Sequence, residues 1–231
     1  MSFDSDSIGD NSIRDGKHPT GVKILDEEEL RGIPQGTTIA VIGEPDSASE
    51  LLLHSLAATG RKTEYITTLR SGTGLKEDIK RARLEDKVSE EEIDENVSIR
   101  DVYTATDDLE DLIPKSISRV GDGNLVFDSF SNIDDAKKIN FARQIHTKTK
   151  KSNGLTYLYF VASDTSELSK TEREVLQLVD GIFNVKKSVF GEDNIENYLY
   201  INKLRGVKLP GRAQNLIFGE KLGIDTTTDI G

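Results

Sequence analysis

The chain has 231 residues, enough for one α/β domain with a substantial core, and its 6% of aromatic residues leaves that core mainly to Leu, Ile and Val. Asp and Glu outnumber Lys and Arg by 41 to 30, and the net charge of −11 argues against binding to nucleic acids or anionic membranes. The lack of cysteine excludes disulfides, thiolate catalysis and cysteine-based zinc sites. No apolar run reaches the length of a membrane span and no signal peptide is recognisable, so we expect a cytoplasmic protein, suited to a salt-rich cytoplasm.

Strand-like apolar runs alternate with helical patterns after an N-terminal segment rich in Ser, Asp and Gly. Residues 1–19 are predicted to form a disordered acidic tail, and residues 20–231 a single domain. Strands are predicted at 37–43, 63–68, 97–103, 124–128 and 155–161. Helices are predicted at 47–59, 75–85, 107–118, 134–151 and 167–179. This alternation indicates a parallel sheet that is covered by helices on both faces.

The C-terminal part of the chain has a different pattern. Runs at 181–187, 197–204 and 214–219 are separated by Gly, Pro, Asn and Asp, which predicts antiparallel strands that complete the sheet. The mixed charges of residues 76–95 predict a solvated helix followed by an acidic loop. The aromatic run at 157–160 is predicted to be core.

Four landmarks in the sequence follow one another in the order of a known fold family. They are the entry Thr20-Gly21 with Leu25-Asp26 and the turn Gly32 to Gly36, the strand leading to Gly43 and Pro45, the apolar run Asn124 to Asp128 followed by Ser129, and Asp180-Gly181 followed by Lys203 to Gly206. Together they resemble the KaiC-like ATPase branch of the RecA superfamily, of archaeal and haloarchaeal type. The resemblance implies a RecA-like P-loop fold, with a mostly parallel central sheet, helices on both faces and antiparallel C-terminal strands.

The residues after the first long strand correspond to the family's phosphate-binding loop, the Walker A motif. In register with Gly-x-Pro-Gly-Thr/Ser-Gly-Lys-Thr/Ser, the chain has Gly43, Glu44, Pro45, Asp46, Ser47, Ala48, Ser49 and Glu50. Ser49 thus replaces the lysine that neutralises the phosphates, and Glu50 replaces the hydroxyl that binds magnesium. The resemblance therefore implies a vestigial nucleotide-binding loop.

The acidic side chains of this loop would repel a polyphosphate. At roughly 4 Å and an effective dielectric of about 20, one like-charge contact costs about 4 kcal/mol. Ser47-Ala48-Ser49-Glu50 also has the Ser-x-x-Glu pattern of a capping box, with Ser47 at the N-cap of the next helix. We therefore predict a loop that binds no cofactor and is satisfied by its own side chains. The alternative is ATP with magnesium, bound weakly or not at all.

Two further pairs match functional positions of the family. Asp128 and Ser129 follow the Walker B-like strand, where Asp128 either retains a magnesium contact or only caps a turn with Ser129. Lys203 and Arg205 match the pair that reaches the γ-phosphate of the neighbouring subunit in KaiC-like rings. They either complete the site of an active partner or pair with carboxylates of their own chain. We predict no resident metal site.

The family's catalytic glutamate follows the second central strand, where this chain has Leu69 and Arg70. Glu64 lies too early in that strand, and Arg70 cannot act as a base because it stays protonated. We therefore expect a pseudo-ATPase without catalytic residues that acts as a regulatory or scaffolding subunit, with an active KaiC-like homologue or a second copy as its protein partner. The alternatives are an atypical ATPase in signal transduction and, against the charge of the chain, a mediator of DNA recombination or repair.

Overall fold

A computed structural model describes residues 16–26, 30–69, 71–72, 74–83, 88–102, 109–190, 194–209, 211, 213–218 and 224–225. The strands are β1 (Lys17–His18), β2 (Ile33–Pro34), β3 (Thr37–Gly43), β4 (Thr63–Thr67), β5 (Val97–Asp101), β6 (Asn124–Asp128), β7 (Leu155–Val161), β8 (Gly181–Phe190), β9 (Asn194–Leu204), β10 (Gln214–Phe218) and β11 (Ile224–Asp225). The helices are α1 (Lys23–Asp26), α2 (Ser49–Ala57), α3 (Leu75–Ala82), α4 (Glu90–Asn96), α5 (Leu109–Val120), α6 (Asp135–Ser152) and α7 (Lys170–Leu178), and a 3₁₀ helix spans Phe130–Asn132.

Nine of the described strands form one central sheet in the order β11-β10-β9-β8-β3-β7-β6-β4-β5. The strands from β8 to β5 in this order are parallel to one another, whereas β9, β10 and β11 are added in antiparallel pairs. β1 and β2 form a separate two-stranded sheet. The predicted fold class, a mostly parallel α/β sheet with antiparallel C-terminal strands, is confirmed.

Two hydrophobic layers cover the two faces of this sheet. Successive side chains of a strand point to opposite faces, so Ile39 and Val41 of β3 join one layer and Ala40 and Ile42 the other. The first layer contains buried residues of α2, α3 and α4, and the second those of α5, α6 and α7. Burial on both faces explains why the central strands are continuous apolar runs. Over the described part of the chain, no helix combines the length and apolar character needed to cross a membrane.

The predicted boundary of the N-terminal tail lies too far along the chain. Lys17 and His18 pair with Pro34 and Ile33, and His18 is fully buried. Its Nε2 lies 2.7 Å from the carbonyl oxygen of Asn153, which fixes this segment against the end of α6. Residues 1–15 of the predicted tail lie outside the described residues.

The prediction for residues 76–95 was wrong in its second half. The structure places helix α4 where an acidic loop was expected. Ser89 is its N-cap and forms a capping box with Glu92, whose side chain returns to the Ser89 amide at 2.8 Å. Ile93 is fully buried in the first hydrophobic layer. The cap and this one buried side chain hold a helix that is otherwise strongly acidic.

Candidate functional site

The candidate site is the loop that joins β3 to α2, at the carboxyl ends of the parallel strands. Ligands of open α/β sheets bind at this edge. Gly43 ends β3 and packs directly beneath the start of α2, where a Cβ atom on residue 43 would lie 2.5 Å from the Cβ atom of Ser49. Any larger residue at position 43 would therefore push the helix away from the sheet.

Three consecutive backbone amides of the loop donate to acceptors of the chain itself. The amide of Ser47 donates to the carbonyl of Glu44 at 3.0 Å. The amide of Ala48 donates to Oδ1 of Asn197 at 3.0 Å, and the amide of Ser49 to Oγ of Ser47 at 3.4 Å. A phosphate-binding loop turns such amides toward its ligand. Here they are already bonded within the protein.

Hydroxyl groups occupy the space under the loop. Oγ of Ser47 donates to the carbonyl of Glu44 at 2.7 Å. Ser49, at the position of the family's lysine, is fully buried, and its Oγ lies 3.0 Å from the hydroxyl of Tyr159. The Tyr159 hydroxyl also donates to the carbonyl of Gly43 at 3.1 Å. A neutral hydroxyl cluster thus lies where the resemblance would place the charged side chain of a phosphate-binding loop.

The predicted capping box in this loop was wrong. Helix α2 begins at Ser49, its N-cap is Ala48, and no side chain caps it. Ser47 cannot serve as the N-cap because it lies in the turn closed by Glu44, where its hydroxyl binds the Glu44 carbonyl. Glu50 lies in the first turn of α2, where the helix dipole favours a negative charge.

A groove of about 450 Å³ opens beside the loop, between α2, α3 and β9. Its charged lining consists of Asp46, Glu50, Asp78 and Arg81, and we call this surface the loop groove. Asp46 forms an ion pair with Lys187 of β8 at 2.7 Å, and the hydrogen bond from Lys187 lowers the pKa of the Asp46 carboxyl. Asp78 forms an ion pair with Arg81 at 3.3 Å, so two of the three carboxylates of the loop groove already face a cation of the chain.

Asp128 and Ser129, the Walker B-like pair, lie at the carboxyl end of β6, and the peptide bond between them is cis. β6 is separated from β3 by β7 alone, so the two strand ends are ~10 Å apart. Asp128 is fully buried and accepts a hydrogen bond from the hydroxyl of Tyr65 at 3.5 Å. The Ser129 amide donates to Oγ1 of Thr68 at 2.9 Å. Among the described residues, no three His, Asp or Glu side chains are grouped so that they could hold a metal ion.

Glu64 forms two ion pairs on the face of the sheet that α5 covers. It is 1% exposed, and its Oε1 accepts from Arg100 at 2.8 Å and from Arg119 at 3.1 Å. Leu69, which the resemblance aligns with the family's catalytic glutamate, is exposed. Arg70, the other residue assigned to that position, lies outside the described residues.

Lys203 and Arg205 lie at the amino end of β8, the opposite end of the strand from the loop. Nζ of Lys203 donates to the carbonyls of Val179 at 2.6 Å and Leu176 at 3.1 Å, at the C-terminus of α7. Arg205 pairs with Asp180 at 3.3 Å. In this chain both side chains therefore bind groups of their own protein, and neither contacts the loop.

Sequence reasoning missed Asn197 and Lys187, which hold the loop from two strands far along the chain. It predicted Tyr159 only as a core residue, and its ring is buried, but its hydroxyl bonds the loop. The one available signal was the pattern of polar residues in strands that otherwise carry apolar ones. That pattern does not reveal which loop such residues meet.

Comparison with known proteins identifies a family of unknown function and a similar fold. Residues 17–231 match the model of a family described as a family of unknown function, DUF7125. The fold resembles that of the KaiC-like protein PH0186 from the hyperthermophilic archaeon Pyrococcus horikoshii OT3, with a TM-score of 0.73 over 94% of this chain and 100% of that chain. The two chains are 16% identical, so the likeness shows a RecA-like, KaiC-like fold alone. No curated protein matches the chain.

Proposed function

The chain belongs to the family of unknown function DUF7125, and we propose that it is a catalytically inactive, RecA-fold protein that works as a regulatory or scaffolding subunit through protein–protein contacts. The observation that carries the proposal is the bonding of the loop between β3 and α2. The amides of Ser47, Ala48 and Ser49 each donate to an acceptor of the chain, where a nucleotide phosphate would need them free.

The charge of the loop supports the same proposal. Ser49 brings no positive charge to the position of the phosphate-binding lysine, and Glu50 stands where a hydroxyl would bind magnesium. A polyphosphate placed here would meet Asp46 and Glu50 with Lys187 as the compensating cation, and Lys187 is paired with Asp46. ATP binding would require the chain to break its own ion pair and hydrogen bonds.

Rebuilding the loop tests the proposal by gain of binding. The fourfold variant Asp46→Gly, Ala48→Gly, Ser49→Lys, Glu50→Thr introduces the residues of the Walker A motif and is expected to bind Mg-ATP. The matched control carries the same changes without Ser49→Lys and is expected to bind far more weakly. Thermal unfolding with and without Mg-ATP gives the readout, since a ligand at about 100 times its Kd stabilises by about 2.7 kcal/mol. Stabilisation of the wild-type chain by Mg-ATP would contradict the proposal.

The second candidate function is an atypical ATP-binding ATPase in signal transduction. The observation that favours it is Asp128, a buried carboxylate that remains at the carboxyl end of β6, where the family's aspartate holds magnesium. Under this alternative, Mg-ATP stabilises the wild-type chain and Asp128→Asn removes the effect. Under the main proposal, Mg-ATP has no effect on either protein.

A further inference from the structure

A small set of contacts holds strand β1 to the domain. Among the described strands, β1 pairs with β2 alone, in a two-stranded sheet that is separate from the central one. The Gln35 amide donates to the carbonyl of Gly16 at 3.0 Å, and Nζ of Lys17 donates to the carbonyl of Leu30 at 2.6 Å. The remaining contact is the side chain of His18, which is fully buried.

The chain is anchored again directly after β1, at Thr20 and Gly21. Oδ1 of Asp26 accepts from the Thr20 amide at 2.7 Å and from the Thr20 hydroxyl at 2.9 Å, and Oδ2 accepts from the Gly21 amide at 2.8 Å. Val22 and Leu25 are fully buried in the first hydrophobic layer. Because these contacts do not involve β1, the strand can leave its place while the chain from Thr20 onward stays attached.

The hydrogen bonds of the His18 ring define its neutral form. A carbonyl oxygen only accepts, so Nε2 carries the hydrogen that it donates to the carbonyl of Asn153 at 2.7 Å. In a neutral imidazole the other nitrogen, Nδ1, then carries no hydrogen. Nδ1 is buried and has no hydrogen-bond partner among the described residues. A second proton would therefore sit on a buried atom that has no acceptor.

The surroundings of the ring also oppose a second proton. Nη2 of Arg61 lies 3.3 Å from Nε2 of His18 and donates to the carbonyl of Asp122. Burial is the main cause that lowers the pKa of His18, and the positive charge of Arg61 lowers it as well, against the hydrogen bond to Asn153 and the charge of Asp122. Tyr157, which interacts with Arg61, stays neutral because burial raises its pKa.

We infer that His18 is a pH-sensitive latch: the neutral ring holds β1 against the end of α6, and protonation of the ring releases β1 while the rest of the domain stays folded. The latch does not depend on the proposed function. The docked state binds fewer protons than the released state, so docking is strongest above about pH 6.5, the ordinary pKa of histidine, and weakens as the pH falls below it. Release of β1 frees the edge of β2 and opens the space beside Arg61 that the His18 ring fills.

Amide exchange of the full chain, followed by NMR, tests the latch. The Gln35 amide reports on β1 because it donates to Gly16, and the Gly21 amide reports on the anchor because it donates to Asp26. From about pH 7.5 to about pH 5, protection of the Gln35 amide, corrected for the intrinsic pH dependence of exchange, should fall by about tenfold or more, because the docked ring would bury a charged donor without an acceptor. Protection of the Gly21 amide should stay the same.

Three variants separate the latch from a general effect of acid. His18→Gln keeps a neutral donor for the Asn153 carbonyl, so protection of Gln35 should no longer depend on pH. Arg61→Gln leaves the His18 ring in place and removes the neighbouring cation, so the acid-induced loss of protection should become smaller. His146→Gln is the matched control, because it removes another partly buried histidine and should leave the pH dependence of Gln35 as in the wild-type chain.

Three results would overturn the latch. The first is equal protection of the Gln35 amide at both pH values in the wild-type chain. The second is an acid-induced loss that His18→Gln retains. The third is a loss of protection at Gly21 as large as that at Gln35, which would show that acid unfolds the anchor together with β1.

Discussion

The two ends of the parallel strands carry polar clusters of opposite character. At the carboxyl end, the neutral hydroxyls of Ser49 and Tyr159 are bonded under the backbone of the loop, and the ion pair of Asp46 with Lys187 lies at its exposed surface. At the amino end, the buried carboxylate of Asp180 accepts from the Thr38 amide at 3.1 Å and pairs with Lys150 at 3.2 Å and Arg205 at 3.3 Å. The buried contacts at the carboxyl end are thus made by neutral hydroxyl groups, whereas those at the amino end are ion pairs around a buried carboxylate.

This difference between the two ends bears on how residues that match a functional motif should be interpreted. In the resemblance to KaiC-like proteins, the loop at the carboxyl end lacks the residues of a phosphate-binding motif, whereas Asp180-Gly181 and Lys203-x-Arg205 at the amino end match the family's motifs. Yet Asp180, Lys203 and Arg205 all bind groups within the chain, at the start of β8 and the end of α7. A match to a functional motif can therefore be held in place by the fold's own contacts.

The largest expected effect is that of Asp180→Ala. It removes the acceptor of a buried amide and leaves two cations without their carboxylate, so we expect a loss of about 3 kcal/mol in the free energy of unfolding. Urea denaturation measures it. Asp111→Ala is the control, because the Asp111 side chain is 78% exposed and its ion pair with Lys115 lies at the surface, so its substitution should have little effect. Equal losses for the two variants would contradict a central role for Asp180.

Lys203→Met should have the next largest effect. The substitution keeps an apolar stem but removes the ammonium group that binds carbonyls at the C-terminus of α7, so about 1–2 kcal/mol of stability should be lost. Denaturant unfolding gives the readout. If stability is unchanged and the ATPase turnover of an active homologue falls instead, Lys203 acts on a partner and not on its own fold.

Ser49→Ala is expected to cost about 1 kcal/mol, because it removes a buried hydroxyl that is bonded to Tyr159. Tyr159→Phe should cost a similar amount, and the double variant should cost less than the sum of the two. A double-mutant cycle in urea measures this coupling, which we expect to be about 0.5–1 kcal/mol. Strictly additive losses would mean that the hydroxyl cluster does not hold the loop.

The smallest expected effect is on pH dependence, and it belongs to the amino end. Burial lowers the pKa of His146 below its ordinary value, against an opposing effect of Asp180. The folded state then binds fewer protons than the unfolded state, so stability should fall as the pH drops through about 6.5 and level off below the lowered pKa. His146→Gln should flatten this part of the stability–pH curve. An unchanged curve would show that other groups, such as the buried His18, determine it.

Much of the sheet could be predicted because its strands are buried on both faces. The predicted bounds 37–43, 124–128 and 155–161 agree with β3, β6 and β7. The edge strand β5 ends at Asp101, whereas the predicted strand continued through residue 102 to 103, which lies outside the described residues; an edge strand has partly exposed residues and a weaker apolar pattern. Helix α4 was missed because a single buried residue, Ile93, anchors it.

The pattern Ser-x-x-Glu shows where local sequence was not enough. It occurs at Ser47, Ser89 and Ser169, and it forms a capping box at the last two. At Ser47 the hydroxyl binds a turn carbonyl, and Asn197 of β9 takes an amide of the loop. The outcome depends on a residue about 150 positions away, so no local pattern could predict it.

The most direct test of the account follows the amides of Ser47, Ala48 and Ser49 by NMR while Mg-ATP is added to the wild-type chain. Because these amides already donate to Glu44, Asn197 and Ser47, their chemical shifts and their exchange with solvent should stay unchanged up to millimolar nucleotide. Saturable shifts at all three amides, or new protection from exchange, would show that the loop still takes a phosphate and would contradict the account.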